Sequence, residues 1–300
     1  MLTQERFGTV NPYTLNQGEL EQWAAWNTSN IARNLAGVER NLQDALAGRD
    51  EDLTAQNPDE DVRPTGEVFY VPRGTESPLA TGIIIPAGLG VLDLEFAEKD
   101  WSRGEATRVY NPLTDSLAVT VLYDSGTPVV IGGMHNRFRA TEDTLLPSEV
   151  AIGEDWQESY ENVFAAKGLS AAIRNKRAME IVSVATRKGY LSSGNAIAMM
   201  NVTSVMTARD VDFYFACLDE SIGGMLNQKD DGFIELGLPR INFHSPRPNA
   251  NRTTVQACNG PQWRANMLNP ESPSYSPVVH NRFWSFNNRV MKKYAVTILS

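Results

Sequence analysis

Between Gly18 and Gly48 the apolar residues recur with a helical step. Ile31, Leu35, Val38, Leu42 and Leu46 follow one another at spacings of four, three, four and four, which puts them on one face. Leu20, Trp23 and Ala24 carry that stripe backwards past polar Asn27, and Gly48 stands where a helix-terminating glycine belongs. A helix over 18–47 would be roughly 45 Å long at ~1.5 Å per residue. Each aliphatic side chain gains ~1.5–3 kcal/mol on full burial, so the stripe must be covered. The cover is either the chain's own core or a neighbouring subunit. The second is the expectation carried forward, with Trp23 and Trp26 as anchors and Ile31, Leu35, Val38, Leu42 and Leu46 as the remaining subunit-interface residues.

The pattern then changes twice. Residues 49–66 carry two acidic triplets, Asp50–Asp52 and Asp59–Asp61, with Pro58 and Pro64, and read as a solvated acidic linker. They lack the alternating oxygen ligands, glycine hinge and distal Glu of a calcium loop. From Glu67 onwards short apolar runs alternate with Pro and Gly. Strands are predicted at 68–71, 82–86, 90–96 and 106–110, at a hairpin over 116–133 turning at Asp124-Ser125-Gly126, and at 135–140. In 90–96, Leu92, Leu94 and Phe96 alternate with Asp93 and Glu95, as on a strand with one wet face.

Residues 153–189 read as helix. Trp156, Tyr160, Val163, Phe164, Ala172, Ile173, Ile181 and Val184 mark an apolar side, with a break at Gly168. Past Gly189, residues 196–206 fit either strand or helix. Strands are predicted at 210–219, 233–238, 241–244, 253–258, 282–286 and 292–300. The layout is 1–48 arm and amphipathic helix, 49–66 linker, 67–150 β unit, 151–190 helical segment, and 191–300 second β-rich unit. The fold class it predicts is β-rich α+β, with an antiparallel β-sandwich body of the jelly-roll kind carrying a long N-terminal helix and a central helical segment. A mixed α+β viral shell fold is the competing architecture.

Composition narrows the partners. At 42% hydrophobic and 21% charged the chain has an ordinary globular composition. A net charge of −9 excludes a general nucleic-acid binder. Arg174, Lys176 and Arg177 form a local basic cluster that allows at most a weak phosphate contact. Cys217 and Cys258 show no metal-knuckle spacing and fit a reducing compartment. The first residues show no basic start followed by an apolar stretch, so no signal peptide is expected.

No motif names a reaction. His135, His244 and His280 show no acidic partner at a recognisable spacing, and there is no nucleophile elbow, phosphate loop or HExxH. Asp93, Glu95, Asp212 and Glu235 read as wet-face strand carboxylates. The expectation is therefore a self-assembling structural protein without catalytic activity or cofactor: a virion component such as a bacteriophage or other viral capsid or head protein, located in the virion and made in a host cytoplasm. Its partners would be copies of itself and other virion proteins. The alternatives are a carbohydrate-active hydrolase with paired carboxylates, and a glycan-binding β-sandwich using Trp263, Tyr275 and Trp284.

Overall fold

The long helix begins where a capping box fixes it. In the computed structural model, Asn16 accepts the Glu19 N–H through its side chain, while the Glu19 carboxylate accepts the Asn16 N–H. From there α1 runs Gln17–Ala45. The description covers residues 8–56, 65–100, 104–141, 144–152, 177–219, 233–236, 240–241, 252–261, 269–271 and 288–300, with single positions at 162, 277, 281 and 285. A short second helix, α2 (Arg49–Gln56), follows α1. It takes up the first acidic triplet of the expected linker; the second lies outside the described residues.

One sheet organises the rest. Its strands are β1 (Gly66–Val71), β2 (Asp115–Asp124), β3 (Thr127–Phe138), β4 (Ala178–Thr186), β5 (Phe213–Asp219), β6 (Phe233–Glu235), β7 (Arg240–Ile241), β8 (Arg252–Asn259) and β9 (Tyr294–Ile298). The order is β6-β8-β5-β4-β3-β2-β1-β9, with β7 also pairing β8. Pairs β1/β9 and β4/β5 are parallel and the rest are antiparallel. The hairpin read at 116–133 is present, with positive φ at both Ser125 and Gly126, the turn whose twist matches its strands.

A single mixed sheet with helices on both faces replaces the expected antiparallel jelly-roll sandwich. The physical reason is burial: Ser116, Leu117, Ala118, Val119 and Thr120 of β2 are all fully buried, so the central strands have no wet face to serve as the outside of a sandwich. On one face lie α1 and α3 (Ile85–Asp100), the latter entered through a π-helical stretch at Ala80–Ile84. Leu35, Leu42, Leu46, Leu89 and Leu92 meet Phe69, Leu117, Val119 and Val121 there. On the other face α6 (Asn195–Thr207) sets Ala198, Met199 and Val202 against Val68, Tyr70, Ala118 and Met134. Two further short helices are α4 (Glu105–Val109) and α5 (Pro147–Ile152).

Four predicted elements are corrected. Residues 82–86 and 90–96 are helix, not strand, because this segment is sandwiched between α1 and the sheet and is apolar nearly all round, which hides the helical period. Ala80–Lys99 is the one described segment long and apolar enough to cross a membrane, and it is 61% buried inside the protein. Residues 106–110 are largely α4, whose first N–H groups are captured by Asp93: Ala106 N donates to Oδ1 at 2.8 Å and Thr107 N to Oδ2 at 3.2 Å. Residues 178–186 are strand, not the end of a helix. Ile181 and Val184 share a face although three residues apart, because Ile181 pairs Asn136 while Ser183 pairs His135, so Val182 is an extra residue. That bulge mimics a helical spacing. The remaining 153–177 and the predicted strand at 282–286 lie almost wholly outside the described residues.

α3 lies close on the sheet because two glycines face each other across the contact. A Cβ at Gly133 would stand 2.6 Å from the Gly88 carbonyl oxygen, and one at Gly88 would stand 2.4 Å from Val119 Cγ2. Gly133→Ala should therefore force the helix off the strand and cost about 1–3 kcal/mol, read as a lowered urea midpoint with an unchanged slope.

Candidate active site

Strands β4 and β5 share only four rungs. Ala178, Met179, Glu180 and Ile181 pair with Phe213, Tyr214, Phe215 and Ala216. Beyond Ile181, β4 continues to Thr186 against β3 alone, and β5 continues to Asp219 with β8 on its other side. The sheet forks. The Val182 bulge sits at the crotch and bends β4 away from its parallel neighbour. The fork opens toward the carboxyl ends of two parallel strands, where crevice sites of open sheets form. Residues 182–186 are only partly buried, and among the described residues that edge of β4 has no ladder partner.

At the crotch lies Glu180, 2% exposed. The Ser148 N–H donates to its Oε2 at 2.8 Å and the Ser148 hydroxyl to Oε1 at 2.6 Å. Burial pushes this carboxyl up, the Ser148 donors pull it back, and the charge of Glu149 raises it again; burial wins and the pKa stands at about 7. Glu149 is itself held by the Leu146 N–H and by Arg139.

On the same face, β2 and β3 place a second polar group. His135 Nε2 lies 2.7 Å from Asp115 Oδ2, and Arg137 donates from Nε to Oδ1 at 2.9 Å and from Nη2 to Oδ2 at 2.8 Å. Burial pushes Asp115 up, but the hydrogen bonds from His135, Arg137 and the Asn111 N–H outweigh it and hold the carboxylate well below its usual range. The Tyr110 ring leans on His135 with centroids 5.6 Å apart, and burial lifts its phenol to about 12. Glu180 stands opposite Arg137 across the β3/β4 ladder.

The loop leaving β4 reaches α6 through Ser192, Ser193 and Gly194, which line a cavity of about 360 Å³ with Arg289, Val290, Lys292 and Lys293. Gly194 occupies the N-cap with φ 77°, the Ser193 hydroxyl accepts the Asn195 N–H at 3.4 Å, and no acidic residue sits in the first turn. A helix N-terminus and three cations are groups that could hold an anion here.

None of the interface residues named from the sequence lines the fork or the cavity. Leu35, Leu42 and Leu46 are buried in the core shared with the sheet, with Ile31 and Val38 packed partly against it. Trp23 is buried with Leu20 and Ala24, and Trp26 packs against them. Of the basic cluster, Arg177 pairs with Asp212; Arg174 and Lys176 lie outside the described residues, as do His244, His280, Trp263, Tyr275 and Trp284. Asp93 caps α4 and Glu95 accepts the Lys188 N–H. Cys217 and Cys258 are free thiols. Among the described residues no group of three or more His, Cys, Asp or Glu is placed to hold a metal.

Sequence reasoning weighed His135 without finding its acidic partner, and it missed Glu180, Ser148, Asp115, Arg289, Lys292 and Lys293. One signal was present: the hairpin register pairs Leu117 with His135 and Asp115 with Arg137, so Asp115 lies one diagonal from His135.

No family model matches the chain, and no curated protein does. Among solved structures it is similar to the CoA-dependent acyl-homoserine lactone synthase BjaI with SAM and isopentyl-CoA (10% identity, 78% of this chain and 93% of that one, TM-score 0.46). It is also similar to Arabidopsis thaliana NAA60 in complex with a bisubstrate analogue (13% identity, 64% and 98%, TM-score 0.41) and to the NatC complex bound to Gag peptide and CoA (15% identity, 64% and 98%, TM-score 0.37). These likenesses are loose, and the site is read from its geometry. The jelly-roll body on which the expectation of a shell protein stood is absent, and the described strands form one mixed sheet instead. The expectation of a non-catalytic virion component, and of a virion location, was built on that body and is corrected with it.

A carboxyl whose folded pKa lies above its unfolded value destabilises the fold once it ionises. Stability attributable to Glu180 is therefore present below the unfolded value of 4.5 and is lost as pH rises through about 7. Glu180→Gln should flatten the fall in stability between those pH values, and chemical denaturation of both proteins across that range checks it.

Proposed function

We propose that the chain is an acyltransferase that carries an acyl group from a coenzyme A thioester to a nucleophile such as an amine. The observation that carries this reading is the bulged fork between β4 and β5, with a loop running from its rim to a cationic cavity at a helix N-terminus. A strand edge without a ladder partner suits an extended ligand that bears amides, because such a chain can add to the sheet as a further strand would. The arm of coenzyme A is a ligand of that kind, and its far end carries phosphates. Arg289, Lys292, Lys293 and the first N–H groups of α6 are the groups on this chain that fit them.

The thioester end would then lie toward the crotch. Glu180, with a pKa of about 7, is the buried acid at that end, and its charge there changes near neutral pH. Arg137, held on Asp115 and opposite Glu180, adds positive charge where a carbonyl oxygen gains negative charge. Acyl-CoA enzymes among the loosely similar structures agree with this reading without carrying it.

Titrating coenzyme A into the protein by calorimetry tests the donor site. Arg289→Ala and Lys292→Ala should each weaken binding about tenfold, as the loss of a charged hydrogen bond of about 1.5 kcal/mol predicts. The loss should shrink at high salt. Coenzyme A that fails to bind the unaltered protein would overturn the reading.

A further inference from the structure

Among the described residues, the buried polar atoms without a hydrogen-bond partner include His135 Nδ1, Ser183 Oγ and Tyr110 OH. They belong together. Ser183 and His135 are direct cross-strand partners, so their side chains leave the sheet on the same face. The Tyr110 ring packs on the His135 ring. Ser183 lies two residues past Ile181, the last β4 residue that still pairs with β5, and so at the opening of the fork.

The tautomer of His135 follows from its neighbours. Asp115 is ionised and can only accept, so Nε2 carries the proton of that 2.7 Å bond. In the neutral ring Nδ1 is then a bare lone pair. A histidine used only for packing normally has both nitrogens satisfied. Here the carboxylate fixes one nitrogen and leaves the other bare, on a ring with Ser183 across the ladder and the Tyr110 ring against it, an arrangement of base and orienting acid. The charged or titratable groups around the ring are Asp115 from β2, Arg137 from β3, Glu180 from β4 and Tyr110 from the end of α4; Asp93 of α3 is engaged with the amides of α4.

We propose that His135 Nδ1 takes the proton of the acyl acceptor's attacking group, with Asp115 as its positioning residue and the Ser183 and Tyr110 hydroxyls holding that group in place. This rests on the acyl-transfer reading and assigns the acceptor side of the same site. For an amine, the nitrogen lone pair forms the N–C bond to the thioester carbon while the N–H proton passes to Nδ1. The C–S bond breaks, its electron pair leaves with sulfur, and the imidazolium returns the proton to the thiolate. The products are an amide and a free thiol, and His135 is neutral again.

The test uses acetyl-CoA as donor and hydroxylamine, a small amine that requires little of its pocket, as acceptor, with free thiol as the readout. His135→Gln should lower kcat at least 100-fold, while coenzyme A binds within twofold of the unaltered protein. Ser183→Ala removes one hydroxyl from a half-buried position; it should lower kcat/KM for hydroxylamine about tenfold without changing KM for acetyl-CoA, and it keeps the question open to test if His135→Gln does not fold. Imidazole nitrogen NMR should find the Nε2–H tautomer. Coenzyme A bound normally beside a fully active His135→Gln, an unaltered Ser183→Ala, or a proton on Nδ1 of the neutral ring would each overturn the role of His135 alone. Failure of the unaltered protein to bind coenzyme A would instead overturn the acyl-transfer reading and this role with it.

Discussion

One surplus residue in β4 opens the fork in this sheet. Val182 has no counterpart in β3, so β4 bends and leaves β5 after four shared rungs. In a sheet this broad, an interior strand normally has its backbone groups paired on both sides. The bulge suspends that rule along 182–186 and turns sheet interior into cleft wall. The strand stays put because its other edge is held by β3 and its faces by α3 and α6. Flexibility is not required to open the fork, because the geometry of the ladder already does so.

The polar groups below the crotch are kept in a costly environment by one another. Asp115 is fully buried, yet its carboxylate stays ionised because His135, Arg137 and the Asn111 N–H surround it with donors. Glu180 receives two donors from Ser148, but Glu149 lies nearby and burial prevails, so its proton is loosely held. The two acids thus sit at opposite ends of a short polar row joined through Arg137. One is held ionised by its donors and the other is pushed up toward neutrality, a separation set by their different surroundings.

A second network ties the chain ends to this frame. Buried Glu67 of β1 is held by Arg49 at 3.0 Å, by the Tyr123 hydroxyl at 2.7 Å and by Thr297. It fastens α2 and the final strand to the edge of the sheet. That edge then brings residues 289–293 against the start of α6, where the Tyr294 hydroxyl donates to the Ser193 carbonyl. The cationic cavity is therefore built from two segments a hundred residues apart, and its three cations do not form a contiguous basic run.

The amphipathic stripe of α1, the hairpin at 116–133, β1 and β9 were legible from residue order, because capping, turn chemistry and alternation act over a few neighbours. The helix at 85–100 was not, because it is apolar nearly all round: α1 covers one side and the sheet the other, and only packing shows that. β4 was misread because a bulge gives Ile181 and Val184 a helical spacing while they remain on one strand face. The site was almost wholly invisible, since Asp115, His135, Glu180 and Arg289 come from separate segments. Their chemistry depends on distances of a few ångströms across rungs and on desolvation. Local order determined the stripes and turns of this protein; which strand parts from which, and so where a proton can be held, was decided only when the sheet closed around them.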